Sequence, residues 1–164
     1  MQKLLFALFL LAMSAGSAAA HGDISKLPDS VQIMQYKMLL YMDANDAETK
    51  NNLAMAYVRT KQLDLAVQEL EGVLKKDTSN FDALDGMGII LLKQKKADEA
   101  LKYLERALAI NDKDAMLHVH FSLVHEQLKQ AEQATAALKK AGELAPGPEG
   151  AAAVQNEIKL ISQS

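Results

Sequence analysis

Three histidines lie within eight residues of one another, at His118, His120 and His125. Imidazole is a common ligand of zinc and copper, so this cluster raises the hypothesis of a metal site. On a helix, however, residues two apart point about 200° away from each other, and residues seven apart lie about 10 Å apart along the axis. The three side chains are then too far apart to hold one ion, and we predict no metal site among them.

The sequence indicates no other chemistry. It has no glycine-rich phosphate loop, no Gly-x-Ser-x-Gly nucleophile motif and no paired His-Glu zinc motif. We therefore predict no catalytic residue, no enzymatic activity and no cofactor. The formal net charge of −3 is mildly acidic, whereas proteins that bind nucleic acid or an anionic membrane are usually basic. We expect no nucleic-acid partner.

Residues 1–20 have the three parts of a secretory signal peptide. Lys3 supplies a positive start, Leu4 to Met13 is apolar, and residues 18–20 are alanines suited to signal peptidase. The apolar run is about ten residues long, half of the roughly twenty that span a membrane. The chain contains no cysteine for lipidation or a disulfide framework. We predict cleavage after Ala20, no membrane insertion thereafter, and a location in the bacterial periplasm.

Cleavage after Ala20 would make His21 the new N-terminus. An N-terminal amine and an imidazole can bind Cu(II) together, and copper has a high affinity for such ligands. No third ligand is evident nearby in the sequence. A copper-handling protein that uses His21 stays open as an alternative function.

The elements that would position any site repeat along the chain. Ala66, Ala100 and Ala134 are thirty-four residues apart, and each is followed four residues later by a leucine. Residues 47–80, 81–114 and 115–148 align in this register without an insertion or deletion. In each, an apolar-periodic stretch, a short polar turn and a second such stretch predict two helices. A strict period of this length is typical of a repeat array.

In this register the residues resemble the tetratricopeptide repeat family, which has small, large and aromatic residues at set positions. The matching residues include Leu53, Ala54, Tyr57, Leu84, Gly88, Leu91, His118, Phe121, Ser122, His125 and Pro146. The resemblance implies an all-α, right-handed superhelical stack of helix-turn-helix units, an α-solenoid. It also implies that His118 and His125 are packing residues, since they occupy the large and the aromatic positions.

Both ends of the array resemble caps. Residues 29–46 match the second helix of a repeat and predict an N-terminal half-repeat, with residues 21–28 as a flexible leader before it. Pro146 and Gly147 interrupt the chain. We predict a capping helix within residues 149–164, with Val154, Ile158 and Ile161 on its apolar face.

In similar arrays the first helices line a concave face that holds the partner. The resemblance carries this groove onto Asn51, Asn52, Met55, Val58, Arg59, Asp82, Asp85, Ile89, Leu92, Lys93, Met116, Val119, His120, Leu123 and Gln127. The middle of this set is apolar and predicts an exposed floor for an amphipathic helix or apolar peptide. Arrays that clamp a terminal carboxylate use Lys, Arg and Asn at positions that here hold Asn51, Met55, Gly86, Met116 and His120, so we expect no such clamp.

The sequence therefore predicts a non-enzymatic protein-protein interaction module, an adaptor or complex-assembly factor that binds a protein or peptide client in the periplasm. Two alternatives concern the apolar floor: the final helix covers it, or a second copy of the protein does. The second alternative would make the chain a self-associating structural scaffold.

Overall fold

The computed structural model describes residues 23–162. The predicted signal peptide and His21 lie outside this range. Within it the chain forms a 3₁₀ turn at Ile24–Lys26 and eight α-helices, with no strand. The helices are α1 (Asp29–Met42), α2 (Ala47–Arg59), α3 (Leu63–Leu74), α4 (Phe81–Lys93), α5 (Ala97–Leu108), α6 (Ala115–Gln127), α7 (Ala131–Leu144) and α8 (Gly147–Ser162). None of these described helices has the length and apolar character that a membrane crossing requires.

The first helix of each repeat begins at the same point of the thirty-four-residue period. Asp46, Asn80 and Asp114 each accept a hydrogen bond from a backbone N–H in the first turn of the following helix. Such capping satisfies one of the four donors that a helix N-terminus leaves free, and it is typically worth about 1 kcal/mol.

The turn between the two helices of each repeat is also the same. Lys61, Lys95 and Lys129 have positive φ angles of 61°, 62° and 61°. In the first repeat the N–H of Gln62 donates to the carbonyl of Tyr57, and the N–H of Lys61 donates to that of Val58. This pair of bonds is a Schellman motif, which ends a helix with one left-handed residue. The reversal packs α2 against α3, and likewise α4 against α5 and α6 against α7.

Small residues allow the paired helices to approach closely, as the repeat register predicts. A Cβ atom added to Gly88 would lie 2.3 Å from Cδ2 of Leu104 on the facing helix. Ala54, Ala66 and Ala100 are fully buried. The volume between the helices is filled by leucines, among them Leu53, Leu70, Leu84, Leu104 and Leu117, each at most 1% exposed.

The ends of the array differ in detail from the expected boundaries. In the predicted flexible leader, Asp23 caps the 3₁₀ turn, and Nε2 of Gln32 donates to the carbonyls of Ser25 and Leu27 at 3.1 and 2.7 Å. These bonds attach residues 23–28 to α1. At the other end α8 begins at Gly147, whose φ of 88° reverses the chain after α7.

Candidate functional site

The neighbouring helices α2, α4 and α6 form one continuous surface, which we call the concave face. All fifteen predicted groove residues lie on these three helices. The two ends of this face have different neighbours. α1 packs against α2, whereas α8 packs against α4, α6 and α7. The concave face therefore has one part beneath α8 and one part beside α1.

The predicted exposed apolar floor is wrong, because its side chains are covered. The buried members are Val58, Ile89, Leu92, Val119 and Leu123, each at most 6% exposed. Met55 and Met116 are half-buried. From α8, Val154 and Ile161 join the same core at 6% and 3% exposure. Within the described residues, the final helix thus supplies apolar contacts that the sequence had assigned to a partner.

Hydrogen bonds also hold α8 on the concave face. Nζ of Lys93, at the end of α4, donates to the carbonyls of Leu160 and Ile161 at 2.8 and 3.4 Å. A cation next to the final carbonyls of a helix complements its dipole. Burial lowers the pKa of Lys93, and the charges of Lys61 and Lys95 lower it further. Lys93 is therefore a docking residue for α8 and does not line an open groove.

His120 lies between two carboxylates under α8. Its Nδ1 is 2.6 Å from Oδ1 of Asp85 on α4, and its Nε2 is 3.2 Å from Oε1 of Glu157 on α8. Burial of the imidazole would lower its pKa, but the charge and hydrogen bond of Asp85 and those of Glu157 outweigh burial and raise the pKa to about 10. At neutral pH the imidazolium donates to both carboxylates. His120 is a buried link between three helices, not an exposed groove residue.

The other two histidines of α6 pack as the repeat register predicts. The rings of His118 and His125 lie 6.5 and 6.1 Å from the ring of Phe121. Nε2 of His118 contacts the carbonyl of Asp112 at 2.8 Å, and Nδ1 of His125 contacts Oε1 of Gln130 at 2.6 Å. Within residues 23–162 no group of three His, Cys, Asp or Glu side chains is arranged to hold a metal ion.

The part of the concave face between α2 and α4 is open. It forms a cavity of about 480 Å³ lined by Glu48, Asn51, Asn52, Met55, Asn80, Asp82, Asp85, Gly86 and Ile89. Three of these residues are carboxylates, and none is a lysine or arginine. Burial raises the pKa of Asp82, and the negative charges of Asp85 and Asp114 raise it further. Because the His120 imidazolium compensates the charge of Asp85, the negative charge that this cavity presents comes from Glu48 and Asp82.

One amide in this cavity has an unused hydrogen-bonding atom. Asn51 is 7% exposed, and its Nδ2 donates to Oδ1 of Asn80 at 3.0 Å. Its Oδ1 is buried and accepts no hydrogen bond from the described part of the chain. An unmet buried acceptor costs about 1 to 3 kcal/mol, so this amide is a destabilising position in the wall of the cavity.

A second cavity, of about 540 Å³, continues the first toward α1. It is lined by Ser25, Leu27, Pro28, Asp29, Gln32, Tyr36, Asn52, Met55 and Arg59. Asn52 and Met55 belong to both cavities. The cation of Arg59 is matched within the protein, because Nε lies 2.6 Å from Oδ1 of Asp29 and one guanidinium nitrogen donates to Oε1 of Gln32 at 2.8 Å. We call the two cavities together the open groove.

Seven of the fifteen predicted groove residues line the open groove, namely Asn51, Asn52, Met55, Arg59, Asp82, Asp85 and Ile89. Of the remaining eight, Val58, Leu92, Val119, His120 and Leu123 are buried, and Lys93, Met116 and Gln127 are half-buried. Nε2 of Gln127 donates to the carbonyl of Leu92 at 3.0 Å, which ties α6 to α4. Sequence reasoning missed Glu48, which precedes the predicted set by one helical turn, and Glu157, whose contact with His120 spans thirty-seven residues.

Comparisons with known proteins agree with the repeat architecture. Sequence models described as "Tetratricopeptide repeat" match residues 47–78 and 91–157. A search of curated proteins finds no significant match.

Several solved structures of MamA are similar to this chain. One crystal structure of MamA has a TM-score of 0.62 and 23% identity, and the match covers 81% of this chain and 84% of that one. The MamA RS-1 ArsTM double mutant has a TM-score of 0.61 and 22% identity, with 82% of this chain and 85% of that one covered. At these identities the likeness is one of fold. The matched repeat models, the thirty-four-residue period and the helix pairs agree, and the chain belongs to the tetratricopeptide repeat family.

Proposed function

We propose that this chain is a non-enzymatic adaptor that binds an extended, basic peptide segment of a client protein in the open groove. Repeats of this family stack into extended binding surfaces, and interaction with another protein is the usual role of such a surface. The observation that carries the proposal is the division of the concave face. The part of this face on α4 and α6 packs against α8, and the part left open is lined by carboxylates and amides together with Met55, Gly86 and Ile89.

Charge favours a basic partner. Glu48, Asp82 and Asp85 line the first cavity without a lysine or arginine among its lining residues, and only Asp85 is paired with a cation, the imidazolium of His120. The raised pKa of Asp82 reflects partial desolvation of its carboxylate and the repulsion from Asp85 and Asp114. A lysine or arginine brought by a client would relieve this repulsion, and charge complementarity of this kind contributes mainly to specificity and association rate.

The side-chain amides in the groove favour a client peptide with an extended backbone. Asn51 and Asn52 occupy successive positions on α2, and both line the cavity. A side-chain amide offers both a donor and an acceptor, and the exposed Asn52 can present both to the backbone of a peptide. An amphipathic helix is disfavoured, because its apolar face needs exposed apolar area. The floor residues have little of it, being buried at Val58, Ile89, Leu92, Val119 and Leu123.

A peptide titration tests the proposal. A fluorescent lysine-rich peptide is titrated with the full chain, and anisotropy reports binding at low and at physiological salt. We expect saturable binding that weakens with salt, because exposed charges are screened. A glutamate-rich peptide of equal length should not bind.

The matched variants are Asp82→Lys and Asp98→Lys. Both aspartates are exposed and occupy the second position of a helix, α4 and α5 respectively, but only Asp82 lines the groove. Both substitutions change the net charge equally. We expect Asp82→Lys to weaken binding at least tenfold and Asp98→Lys to change it less than twofold. Equal effects of the two variants would show that the peptide responds to net charge, and the groove proposal would be wrong.

We also propose that the adaptor acts in the periplasm. Support comes from the signal-like order of residues 1–20, with Lys3, the apolar run and the alanines before His21. N-terminal sequencing of the protein recovered from a bacterial periplasmic fraction should begin at His21. Recovery only from the cytoplasm, with Met1 retained, would contradict export.

A further inference from the structure

Helix α1 carries an exposed apolar face. Met34, Met38, Tyr41 and Met42 are 63%, 50%, 84% and 69% exposed, and Leu39 beside them is 37% exposed. Met38 lies four residues after Met34, and Tyr41 and Met42 lie three and four residues after Met38, so the four side chains form one stripe along the helix. We call these five residues the α1 stripe. The opposite side of α1 packs against α2 through the buried Tyr36.

The other repeats show that the fold does not require large apolar side chains at three of these five positions. α1 is in register with α3, α5 and α7, and each successive helix of this series is offset by a further thirty-four residues. The residues equivalent to Met34, Met38 and Tyr41 are Gln68, Lys102 and Ala136; Gly72, Arg106 and Lys140; and Lys75, Ala109 and Glu143. None of these nine is a large apolar residue. Large apolar side chains at these three positions are therefore specific to α1, and contiguous exposed patches of this kind mark interaction sites.

We propose that the α1 stripe is the interface of a symmetric dimer, in which the α1 helices of two copies pack antiparallel. An antiparallel pairing centred on Met38 places Met38 opposite Met38 of the second copy, and Met34 opposite its Met42. The stripe contains no charged residue, so two identical faces can meet without repulsion. The nearest lysine, Lys37, points toward α2, with its Nζ 5.7 Å from the ring centre of Tyr57.

The size of the stripe is suited to a second copy. Complete burial of these five side chains on both copies would remove at most roughly 1,200 Å² from water, which reaches the lower end of the range for specific interfaces. Methionine side chains are flexible and adapt to each other, and a sulfur placed against the ring of Tyr41 is a favourable contact. The interface lies on α1 and leaves the lining of the first cavity of the open groove, on α2 and α4, uncovered. The dimer therefore presents two such cavities, and it does not depend on the client proposed above.

Cysteine crosslinking of the full chain tests the pairing. Because the chain has no cysteine, Met38→Cys introduces a single thiol per copy. A short bismaleimide should convert most of this variant to a covalent dimer at micromolar concentration. The control is Lys140→Cys, the equivalent and exposed position on α7, which should remain a monomer on a denaturing gel. No covalent dimer from Met38→Cys, or equal dimer from both variants, would overturn the proposal.

Light scattering after size exclusion gives an independent test. The unmodified protein should elute with twice its monomer mass, which is 17.9 kDa for all 164 residues and less once residues 1–20 are removed. Met38→Glu should raise the dimer dissociation constant at least tenfold while its helical circular dichroism is retained. Ile110→Glu is the control, because Ile110 is 46% exposed just after α5, at the position equivalent to Met42. A monomer at all concentrations would overturn the proposal, and it would point to residues 1–22 or a different protein as the occupant. A dimer that survives Met38→Glu would also overturn it.

Discussion

Nε2 of His120 on α6 lies 3.2 Å from Oε1 of Glu157 on α8, and this contact joins the concave face to the final helix. The other ring nitrogen faces Asp85 on α4 at 2.6 Å. One fully buried imidazole therefore bridges three helices that are distant in sequence. The bridge closes one part of the concave face and leaves the part beside α1 open.

Replacing Glu157 should loosen α8. In Glu157→Gln the buried imidazolium keeps a hydrogen-bond acceptor but loses one of its two negative partners. Hydrogen bonds to charged groups contribute about 1.5 to 3 kcal/mol, so we expect a loss in this range and faster amide hydrogen exchange throughout α8. Glu126→Gln is the control, because Glu126 is exposed on α6, and its effect should stay within about 0.5 kcal/mol. Unchanged exchange in Glu157→Gln would contradict a docking role for this pair.

The free energy of unfolding should decrease as the pH becomes alkaline, because His120 loses its proton. Its folded-state pKa of about 10 exceeds the ordinary value of 6.5, so the folded state binds more protons than the unfolded state between these values. This contribution is complete below about pH 6.5 and is lost as pH rises through about 10.

Denaturant titrations at several pH values measure the effect. The free energy of unfolding should decrease by up to about 1.4 kcal/mol per pH unit over that range. His120→Gln should be less stable at neutral pH and should lack this component of the slope. The same slope in both proteins would show that another group causes the pH dependence.

Two glycine substitutions should have opposite effects on stability. In Gly88→Ala the new Cβ would lie 2.3 Å from Cδ2 and 2.7 Å from Cγ of the buried Leu104, so the Leu104 side chain or the two helices must shift. Overpacking of this kind costs about 1 to 3 kcal/mol. Gly142 on α7 has no neighbour within 4 Å of an added Cβ, so Gly142→Ala should stabilise by about 0.5 to 1 kcal/mol. Thermal unfolding measures both, and a neutral Gly88→Ala would contradict close helix packing at this position.

The repeat architecture could be predicted because its signals are local and recur. The small residues at Gly88 and Ala100, the capping residues Asp46 and Asn80, and the break at Pro146 each act within one helix or turn. The left-handed lysines could not be predicted in this way. Glycine is the usual residue at positive φ, and the Schellman bonds that impose the conformation on Lys95 become visible only in the folded chain.

The candidate site was predicted only in part, because the covering of a surface is a long-range property. Leu92 and Leu123 have the residue types of an apolar groove, and their burial, on the two helices that pack against α8, becomes visible only in the folded chain. The register correctly assigned His118 and His125 to packing. The register could not show that His120 forms a hydrogen bond with Glu157, because nothing in the two residue types indicates that residues thirty-seven positions apart are paired.

Site-specific photocrosslinking tests most directly that a client binds the open groove and not the face covered by α8. A photoreactive amino acid is placed at Asn52, which is exposed and lines both cavities, or at Gln155, which is exposed on α8. Each full-length variant is irradiated with the labelled lysine-rich peptide. We predict a crosslinked product at Asn52 that excess unlabelled peptide abolishes, with little product at Gln155. Efficient capture at Gln155 and none at Asn52 would contradict the account.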